Sequence, residues 1–490
     1  MKRLQELWPA TSAAHAAIPV SALALDSRAV RPGMLFIALK GQARDARDFI
    51  PAVIAAGAVA VLAEQDAAWP AMAVIDGVPV IPVADLAQQV GVIAARFHGE
   101  PSRRLDVVAV TGTNGKTSVA NLAAGALSQL GRRAAVLGTL GNGFYGRLEK
   151  STHTTLDACQ LQAMLGQFVA EDAHSVCLEA SSHGLVQGRL NGTAIDVAVF
   201  TNLTRDHLDY HGDMESYAAA KERLFRWPGL RAAVINADDA AGDRYAAAVA
   251  SGIPVLRYSQ RADSQAELRA LAIHPTLAGL SLRLATPLGD CDLAVPLLGR
   301  FNVSNLLAVA GVLVALGVPL AELADALRFA QPVPGRMESF SGEHPTVVVD
   351  YAHTPDALEQ VLSSLREHAA GQLVCVFGCG GDRDAGKRAQ MGAIAARLAD
   401  QVVVTSDNPR SEDPRAIIDA IVSGTGEGAA IHVEDDRRRA IHKAITAARR
   451  DDIVLIAGKG HEDYQEIAGV RHPFSDVDEV RLALAGWRSA

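Results

Sequence analysis

Residues 111–118 read Thr-Gly-Thr-Asn-Gly-Lys-Thr-Ser and join a short apolar run to an amphipathic pattern. Val107-Val108-Ala109-Val110 reads as a buried parallel strand, and Val119, Leu122, Ala123, Leu127 and Leu130 recur at helical spacing. A glycine-rich turn between a strand and a helix start aims backbone N–H groups at one point. The helix dipole adds partial positive charge there, and Lys116 adds a full one. The segment therefore predicts a nucleotide-phosphate site made by Gly112, Thr113, Asn114, Gly115, Lys116, Thr117 and Ser118. The Thr117 hydroxyl is placed to reach Mg²⁺. The general phosphate-loop pattern would put its first glycine where Val110 stands, so the match is incomplete but its context is right.

At 490 residues the chain exceeds one ordinary core, and about 150 residues per domain suggests three. Hydrophobic residues make up 49%, enough for several cores. A net charge of −9 argues against a nucleic-acid-coating surface but not against a local basic pocket. Five scattered cysteines, Cys159, Cys177, Cys291, Cys375 and Cys379, do not make a disulfide framework. Core packing and a reduced, cytoplasmic setting fit them. Glu6 and His15 interrupt any signal-peptide core. The longest uncharged apolar stretch, Leu306–Ala321, falls short of a membrane span and reads as a buried helix. No membrane insertion is expected.

Three α/β segments are expected, at 1–100, 101–333 and 334–490. In the first, 35–39 and 58–62 read as strands around a helix at 49–56, and Pro101-Ser102 reads as a linker. In the second, Val176-Cys177-Leu178 leads into Glu179-Ala180-Ser181-Ser182-His183. Val197-Ala198-Val199-Phe200 leads into Thr201-Asn202-Leu203-Thr204-Arg205-Asp206-His207. Pro332-Val333-Pro334-Gly335 marks the next boundary. Beyond it, strands at 347–349, 402–404 and 453–456 also end in polar motifs. Parallel sheets bind ligands at such strand ends. Glu179 and His207, at neighbouring strand ends beside a phosphate loop, point toward metal binding. Spacing alone leaves Lys221 an ordinary solvated lysine at the end of a helix.

Several motifs in order resemble the Mur ligases. They are the phosphate loop, Glu-Ala-Ser-Ser-His-Gly (179–184), Thr-Asn-Leu-Thr-Arg-Asp-His-Leu-Asp-Tyr-His-Gly (201–212), Gly-Arg-Phe-Asn-Val-Ser-Asn (299–305) and Pro-Gly-Arg-Met-Glu (334–338). Asp350-Tyr-Ala-His-Thr-Pro-Asp356 and Asp407-Asn-Pro-Arg410 narrow the resemblance to the diaminopimelate-adding type. It implies an N-terminal domain holding a UDP-substrate, a central P-loop-type ATPase domain and a C-terminal Rossmann-like domain holding an amino acid. The implied reaction uses ATP and Mg²⁺ to add meso-2,6-diaminopimelate to UDP-N-acetylmuramoyl-L-alanyl-D-glutamate through an acyl phosphate, in peptidoglycan precursor synthesis. A monomer is expected.

The resemblance also implies residue roles. Lys116, Glu179, His207 and Lys221 are the catalytic set, with Thr117, Glu179, His207 and Lys221 on metal. Lys221 is implied to carry CO₂ as a carbamate (N6-carboxylysine). Asn305, Arg336 and Asp350 are implied to join the phosphate loop around ATP. Leu25, Ser27, Thr154, Thr155, Ser181, Gln187 and Arg189 fall to the UDP-substrate, and Leu156 stands where the family often has proline. Arg388, Asp407, Asn408, Pro409, Arg410, Gly458 and Glu462 fall to diaminopimelate. Lysine-adding ligases, a folylpolyglutamate synthetase and a nucleotide-gated binding protein with slow ATP hydrolysis are the rival readings.

Overall fold

The computed structural model describes the chain apart from residues 42–43, 68, 70, 152, 277–278, 427, 429 and 488–490. It divides into two compact units, Met1–Ile235 with Asp239–Leu256, and Asn236–Asp238 with Arg257–Ala490.

The first unit opens with a sheet ordered Ala22–Ala24, Met34–Ala38, Ala60–Glu64, Val78–Val83, Ala73–Ile75, parallel except at the last pairing. The strand expected at 58–62 starts later. Helix Ile50–Ala55 closes with Gly57 N–H on Ile54 O and Ala58 N–H on Val53 O, so 57–58 belong to the helix exit. Pro101-Ser102 is no free linker. Both residues are buried in a 3₁₀ turn, and Ser102 Oγ accepts from Ala194 N–H at 2.9 Å. Helix Leu86–Phe97 also packs closely on the central segment. A Cβ on Gly91 would lie 1.9 Å from Asn191 O.

The phosphate-loop sheet places Ala134–Gly138, Ser175–Glu179, Asp106–Thr111, Val197–Phe200 and Ala232–Asn236 side by side, all parallel. These strands are buried on both faces, which is why they read as continuous apolar runs. Register pairs Glu179 with Val110 and Phe200 with Thr111. The polar clusters after these strands therefore leave the sheet at the same edge as the phosphate loop.

The second unit begins with an antiparallel meander, Leu268–Thr276, Gly279–Thr286 and Gly289–Val295. The apolar stretch near 306–321 is a buried helix, Phe301–Ala315, followed by Gly317 and a second helix, Leu320–Arg328. Among the described residues no helix is long and apolar enough to cross a membrane.

The last sheet runs Glu338–Phe340, Thr346–Asp350, Ile453–Ala457, Leu373–Phe377, Gln401–Val404, Ile431–Val433, antiparallel only at the first pairing. Its residues alternate sides. Val348, Cys375, Val402 and Leu455 pack with Leu358, Met391 and Ile417, while Val347, Val374, Val403 and Ile456 pack with Ile441 and Val480. That is a doubly wound, Rossmann-like layer. Cys375 and Cys379 are buried core thiols, and desolvation pushes Cys379 up to about 12.

Arg437 and Asp476 start two helices on one side of this sheet and are both fully buried. The guanidinium meets the carboxylate twice, at 2.7 Å each. Removing one partner strands a charge in the core, which typically costs about 3–5 kcal/mol. Asp476→Ala should lower the urea-unfolding stability of this unit by about that amount. A loss below about 1 kcal/mol would mean that the pair is solvated in solution.

Candidate functional site

The strand Asp106–Thr111 runs one position past Val110, so the loop proper starts at Gly112. A Cβ on Gly112 would sit 1.9 Å from Thr201 Oγ1, and Gly115 holds φ +85 at the start of helix Lys116–Gln129. The two positions that need glycine are present, and Val110 is ordinary strand.

A second loop clamps the first. Thr113 N–H donates to Asn202 O and Asn114 N–H to Asn202 Oδ1, both at 2.8 Å, and Thr201 Oγ1 donates to Asn114 O at 2.5 Å. The sequence reading aimed several backbone N–H groups of the loop at phosphate. The structure instead spends those of Thr113 and Asn114 on holding the loop in shape. The amides of Thr117 and Ser118 lie in the first turn of the helix, where no intrahelical acceptor exists.

Lys116 Nζ lies across the loop, donating to Gly112 O at 2.9 Å and Thr113 O at 2.8 Å. Lys221, in the last turn of helix Met214–Glu222, is buried, and its Nζ donates to the same Gly112 O at 2.7 Å. Burial, then the neighbouring Lys116 charge, hold the Lys221 amine well below the usual lysine range. The solvated-lysine reading of its spacing is thereby corrected. Tyr217 lies under this amine, 4.4 Å from ring centroid to Nζ, with its hydroxyl 3.2 Å from Thr113 Oγ1.

Glu179 is buried beside the loop. Its Oε2 accepts from Thr117 Oγ1 at 3.0 Å and Thr139 Oγ1 at 3.3 Å, and its Oε1 from Thr139 N–H at 2.7 Å. Thr139 also reaches Thr154 Oγ1 at 3.1 Å. His207 takes a left-handed backbone, φ +55, and packs edge-on against His183 with centroids 5.0 Å apart. Desolvation pushes His207 down to about 4, so it is neutral near pH 7. Among the described residues no group of three or more His, Cys, Asp or Glu side chains forms a self-sufficient metal cage.

Four of the residues expected around the muramoyl peptide form one network. Thr155 Oγ1 donates to Glu179 O at 2.7 Å and to Ser181 Oγ at 2.9 Å. Arg189 donates to Thr155 O at 2.6 Å and to Gln187 Oε1 at 2.9 Å, and Gln187 reaches Tyr210. Leu156 is buried and Asp157 caps the next helix, which fixes the turn without proline. Leu25 and Ser27 stand elsewhere, in the turn just after strand Ala22–Ala24, where Asp26 binds the Arg28 backbone and guanidinium. Among the described residues no hydrogen bond links them to the Thr155–Arg189 network.

In the second unit, Asn305 is buried on its helix and donates to Asn302 Oδ1 at 2.8 Å. Arg336 stacks over Tyr351 at 4.5 Å. Asp350 accepts from Met337 N–H at 2.8 Å, and burial pushes its carboxyl up against the opposing pull of Arg336.

Strand ends also bring Asp407–Arg410 to Gly458–Glu466. Arg410 N–H donates to Glu466 O at 3.0 Å, Ala468 N–H donates to Arg410 O at 2.7 Å, and Arg410 Nη1 donates to Gly381 O at 2.7 Å. A Cβ on Gly458 would meet Asp407 Oδ2 at 2.6 Å. Asn408 Nδ2 donates to Glu462 Oε2 at 2.8 Å. Buried Arg388 pairs with Glu412 at 2.8 Å and keeps an unpartnered Nε. Sequence reasoning missed Thr139, Tyr217, Glu412 and Lys459. Thr139 and Lys459 had a usable signal, their places just after parallel strands.

Family models match three stretches: "Mur ligase family, catalytic domain" at 19–98, "Mur ligase middle domain" at 110–313 and "Mur ligase, glutamate ligase domain" at 335–460. The chain is 50% identical to UDP-N-acetylmuramoyl-L-alanyl-D-glutamate–2,6-diaminopimelate ligase of Chromobacterium violaceum, over 98% of this chain and 97% of that one. It is 52% identical to the enzyme of the same name from Pseudomonas aeruginosa, over 99% and 98%. A solved structure of a ligase with that name shares 42% identity and a TM-score of 0.75, covering 99% of both chains. MurF from Acinetobacter baumannii, at 19% identity and TM-score 0.64 over 95% of this chain and 93% of that one, shares the fold. Sheets, loop and relatives agree: the chain belongs to the Mur ligase family.

Proposed function

We propose that the chain joins meso-2,6-diaminopimelate to the D-glutamate of UDP-N-acetylmuramoyl-L-alanyl-D-glutamate as ATP is cleaved to ADP and phosphate, a step of peptidoglycan precursor synthesis. The observation that carries this reading is the amino-acid pocket. Asp407 and Arg410 follow one strand of the parallel sheet and Glu462 follows another, while Arg388 and Arg410 both reach the Gly380–Gly381 backbone, so cations and carboxylates are offered to a doubly zwitterionic amino acid. The near-full-length relatives carry that ligase name.

The chemistry must first bring two anions together. A glutamate carboxylate oxygen attacks the γ-phosphorus, the bond to ADP breaks, and an acyl phosphate forms. The amine of diaminopimelate then attacks the acyl carbon, the amide bond forms, phosphate leaves and a proton is released. Lys116 offsets the charge on the transferring phosphoryl group, and the helix start carries a share of it. Thr117 and Glu179 form an oxygen-rich set of the kind a hard cation prefers. With neutral His207 and a carbamoylated Lys221 they would hold Mg²⁺, which when bound neutralises phosphate charge. Thr154, Thr155, Ser181, Gln187 and Arg189 would bind the muramoyl peptide, with Leu25 and Ser27 taking the UDP end. In the second unit, Asn305, Arg336 and Asp350 are the residues we assign to ATP. We assign the domains as 1–100, 101–333 and 334–490, and the enzyme as a cytoplasmic monomer.

The deciding experiment offers UDP-muramoyl dipeptide, ATP, Mg²⁺ and a panel of amino acids, with products read by mass spectrometry. Diaminopimelate incorporation matched one-to-one by phosphate release is the expected result. Lysine incorporation, glutamate addition to a folate, or phosphate release without a peptide product would each replace this reading with the corresponding rival.

Carbamoylation of Lys221 follows from its amine. A neutral amine adds to CO₂, the N–C bond forms, a proton leaves, and a carboxylate replaces the amine next to Lys116. The support is a buried amine that shares one carbonyl with a second lysine. Labelled ¹³CO₂ should give a carbamate resonance that Lys221→Arg lacks, with turnover in that variant down about a hundredfold or more. A plain lysine in active, nucleotide-bound enzyme would overturn it.

A further inference from the structure

Lys459 follows strand Ile453–Ala457 and bonds to Asn408 and Glu462, two residues assigned to the amino-acid pocket, and no role was expected of it. Its side chain is fully buried. The ammonium donates to Asn408 Oδ1 at 3.1 Å and to Glu462 Oε2 at 3.0 Å, and stands 5.5 Å from the Tyr464 ring centroid. Asn408 Oδ1 also accepts the Glu466 N–H at 2.9 Å. An ammonium and a backbone N–H can only donate. Together they pin the oxygen of the Asn408 amide on their side, and its nitrogen must face Glu462.

The consequence falls on Glu462. Its Oε2 takes two hydrogen bonds, from Asn408 and Lys459, whereas among the described residues its Oε1 takes none. A carboxylate with one oxygen anchored and the other open is a directed acceptor for an ammonium group. We propose that Lys459 is a positioning residue which, directly and through Asn408, aims the open oxygen of Glu462 at an ammonium of the amino-acid substrate. This rests on the assignment of the pocket to diaminopimelate. It also adds to the expected part of Asn408, one of whose two amide N–H groups serves Glu462.

Two physical effects of removing Lys459 oppose each other. By Coulomb's law alone, deleting a cation beside Glu462 tightens the grip on a substrate ammonium. Against that, the two hydrogen bonds on Oε2 fix the rotamer of the carboxylate and so the direction of its open oxygen. The second effect wins if Lys459 positions Glu462, so the sign of the change decides the matter.

The test uses full-length enzyme with diaminopimelate, ATP and UDP-muramoyl dipeptide varied in turn. Lys459→Met should raise the diaminopimelate KM roughly 30-fold or more, the lower end of what truncating a buried charge pair costs. The KM values for ATP and for the UDP-substrate should stay within about twofold, since additivity holds for groups that share no partner. Combining Lys459→Met with Glu462→Gln should add nothing to Glu462→Gln alone, because both act on one carboxylate. Asn408→Asp sets an acceptor against Glu462 Oε2 and should raise the same KM, and it carries the test if Lys459→Met fails to unfold cooperatively. An unchanged or lowered diaminopimelate KM in the folded variant, or fully additive effects with Glu462→Gln, overturns the role of Lys459 alone. A wild-type enzyme that ignores diaminopimelate overturns the pocket assignment and the proposal with it.

Discussion

Lys116→Ala should yield a folded protein whose ligase turnover falls about a thousandfold or more, in line with removing a charged donor from a site of developing anionic charge. The fold should survive because Lys116 holds nothing up. Its ammonium rests on two loop carbonyls, and the loop is independently tied by Thr113, Asn114, Thr201 and Asn202. In the absence of nucleotide its charge even works against its surroundings, since Lys221 donates to the same Gly112 carbonyl. During the reaction the positive charge of Lys116 is what a carboxylate needs in order to approach the γ-phosphate. A thousandfold corresponds to about 4 kcal/mol of transition-state stabilisation. Removing Lys116 also takes away the charge that, after burial itself, lowers the Lys221 amine, so the ¹³CO₂ label should be followed in the same variant. Lost turnover with the carbamate retained assigns the effect to Lys116 itself. Near-normal turnover in a folded Lys116→Ala protein would remove the phosphate-loop assignment.

What the sequence disclosed and what it hid divide along physical lines. Strands buried on both faces must be apolar throughout, so Val107–Val110, Val197–Phe200 and Ile453–Ile456 were readable directly. The polar residues after them were readable as a site because parallel strands of one sheet end at one edge. Local signals located the helix that follows the phosphate loop. The strand expected at 58–62 started late because the backbone bonds of residues 57–58 close the preceding helix, a choice that composition does not record. Asn202 fastening the amides of Thr113 and Asn114, Thr139 joining Glu179, and Glu412 pairing Arg388 all link segments distant in sequence. No periodicity encodes such pairings. Lys221 and Lys459 are the sharpest cases. A lysine reads as solvated by default, and only the packed structure reveals that both are buried. Lys221 was singled out through resemblance, and Lys459 not at all.

Arg410→Ala should raise the diaminopimelate KM by roughly tens- to thousands-fold, the range that corresponds to about 2–5 kcal/mol for one partner of a buried charge pair. Diaminopimelate differs from lysine by a second carboxylate at the far end of its side chain, so a residue that selects between them must recognise that carboxylate. A guanidinium does so with a planar fork of donors. The backbone around Arg410 is built to hold that fork still. The residue sits at φ +52 with its N–H on Glu466 O and its carbonyl accepting from Ala468, after a buried Pro409. Among the described residues its guanidinium makes one hydrogen bond, to Gly381 O, which leaves further donors for a ligand. The competing view is that Arg410 merely staples the Gly381 loop. One such bond contributes about 1 kcal/mol to stability, so that view predicts a small loss of stability and similar changes in every KM. The selective role predicts an ATP KM within about twofold of wild type and a diaminopimelate KM far above it. Arg410→Lys keeps the charge without the fork and should fall between the two. Lysine should remain a poor substrate for Arg410→Ala, because deleting a contact to one amino acid builds none to the other. If the wild-type enzyme used lysine as readily as diaminopimelate, or the alanine variant kept full discrimination, selection would have to reside elsewhere in the pocket.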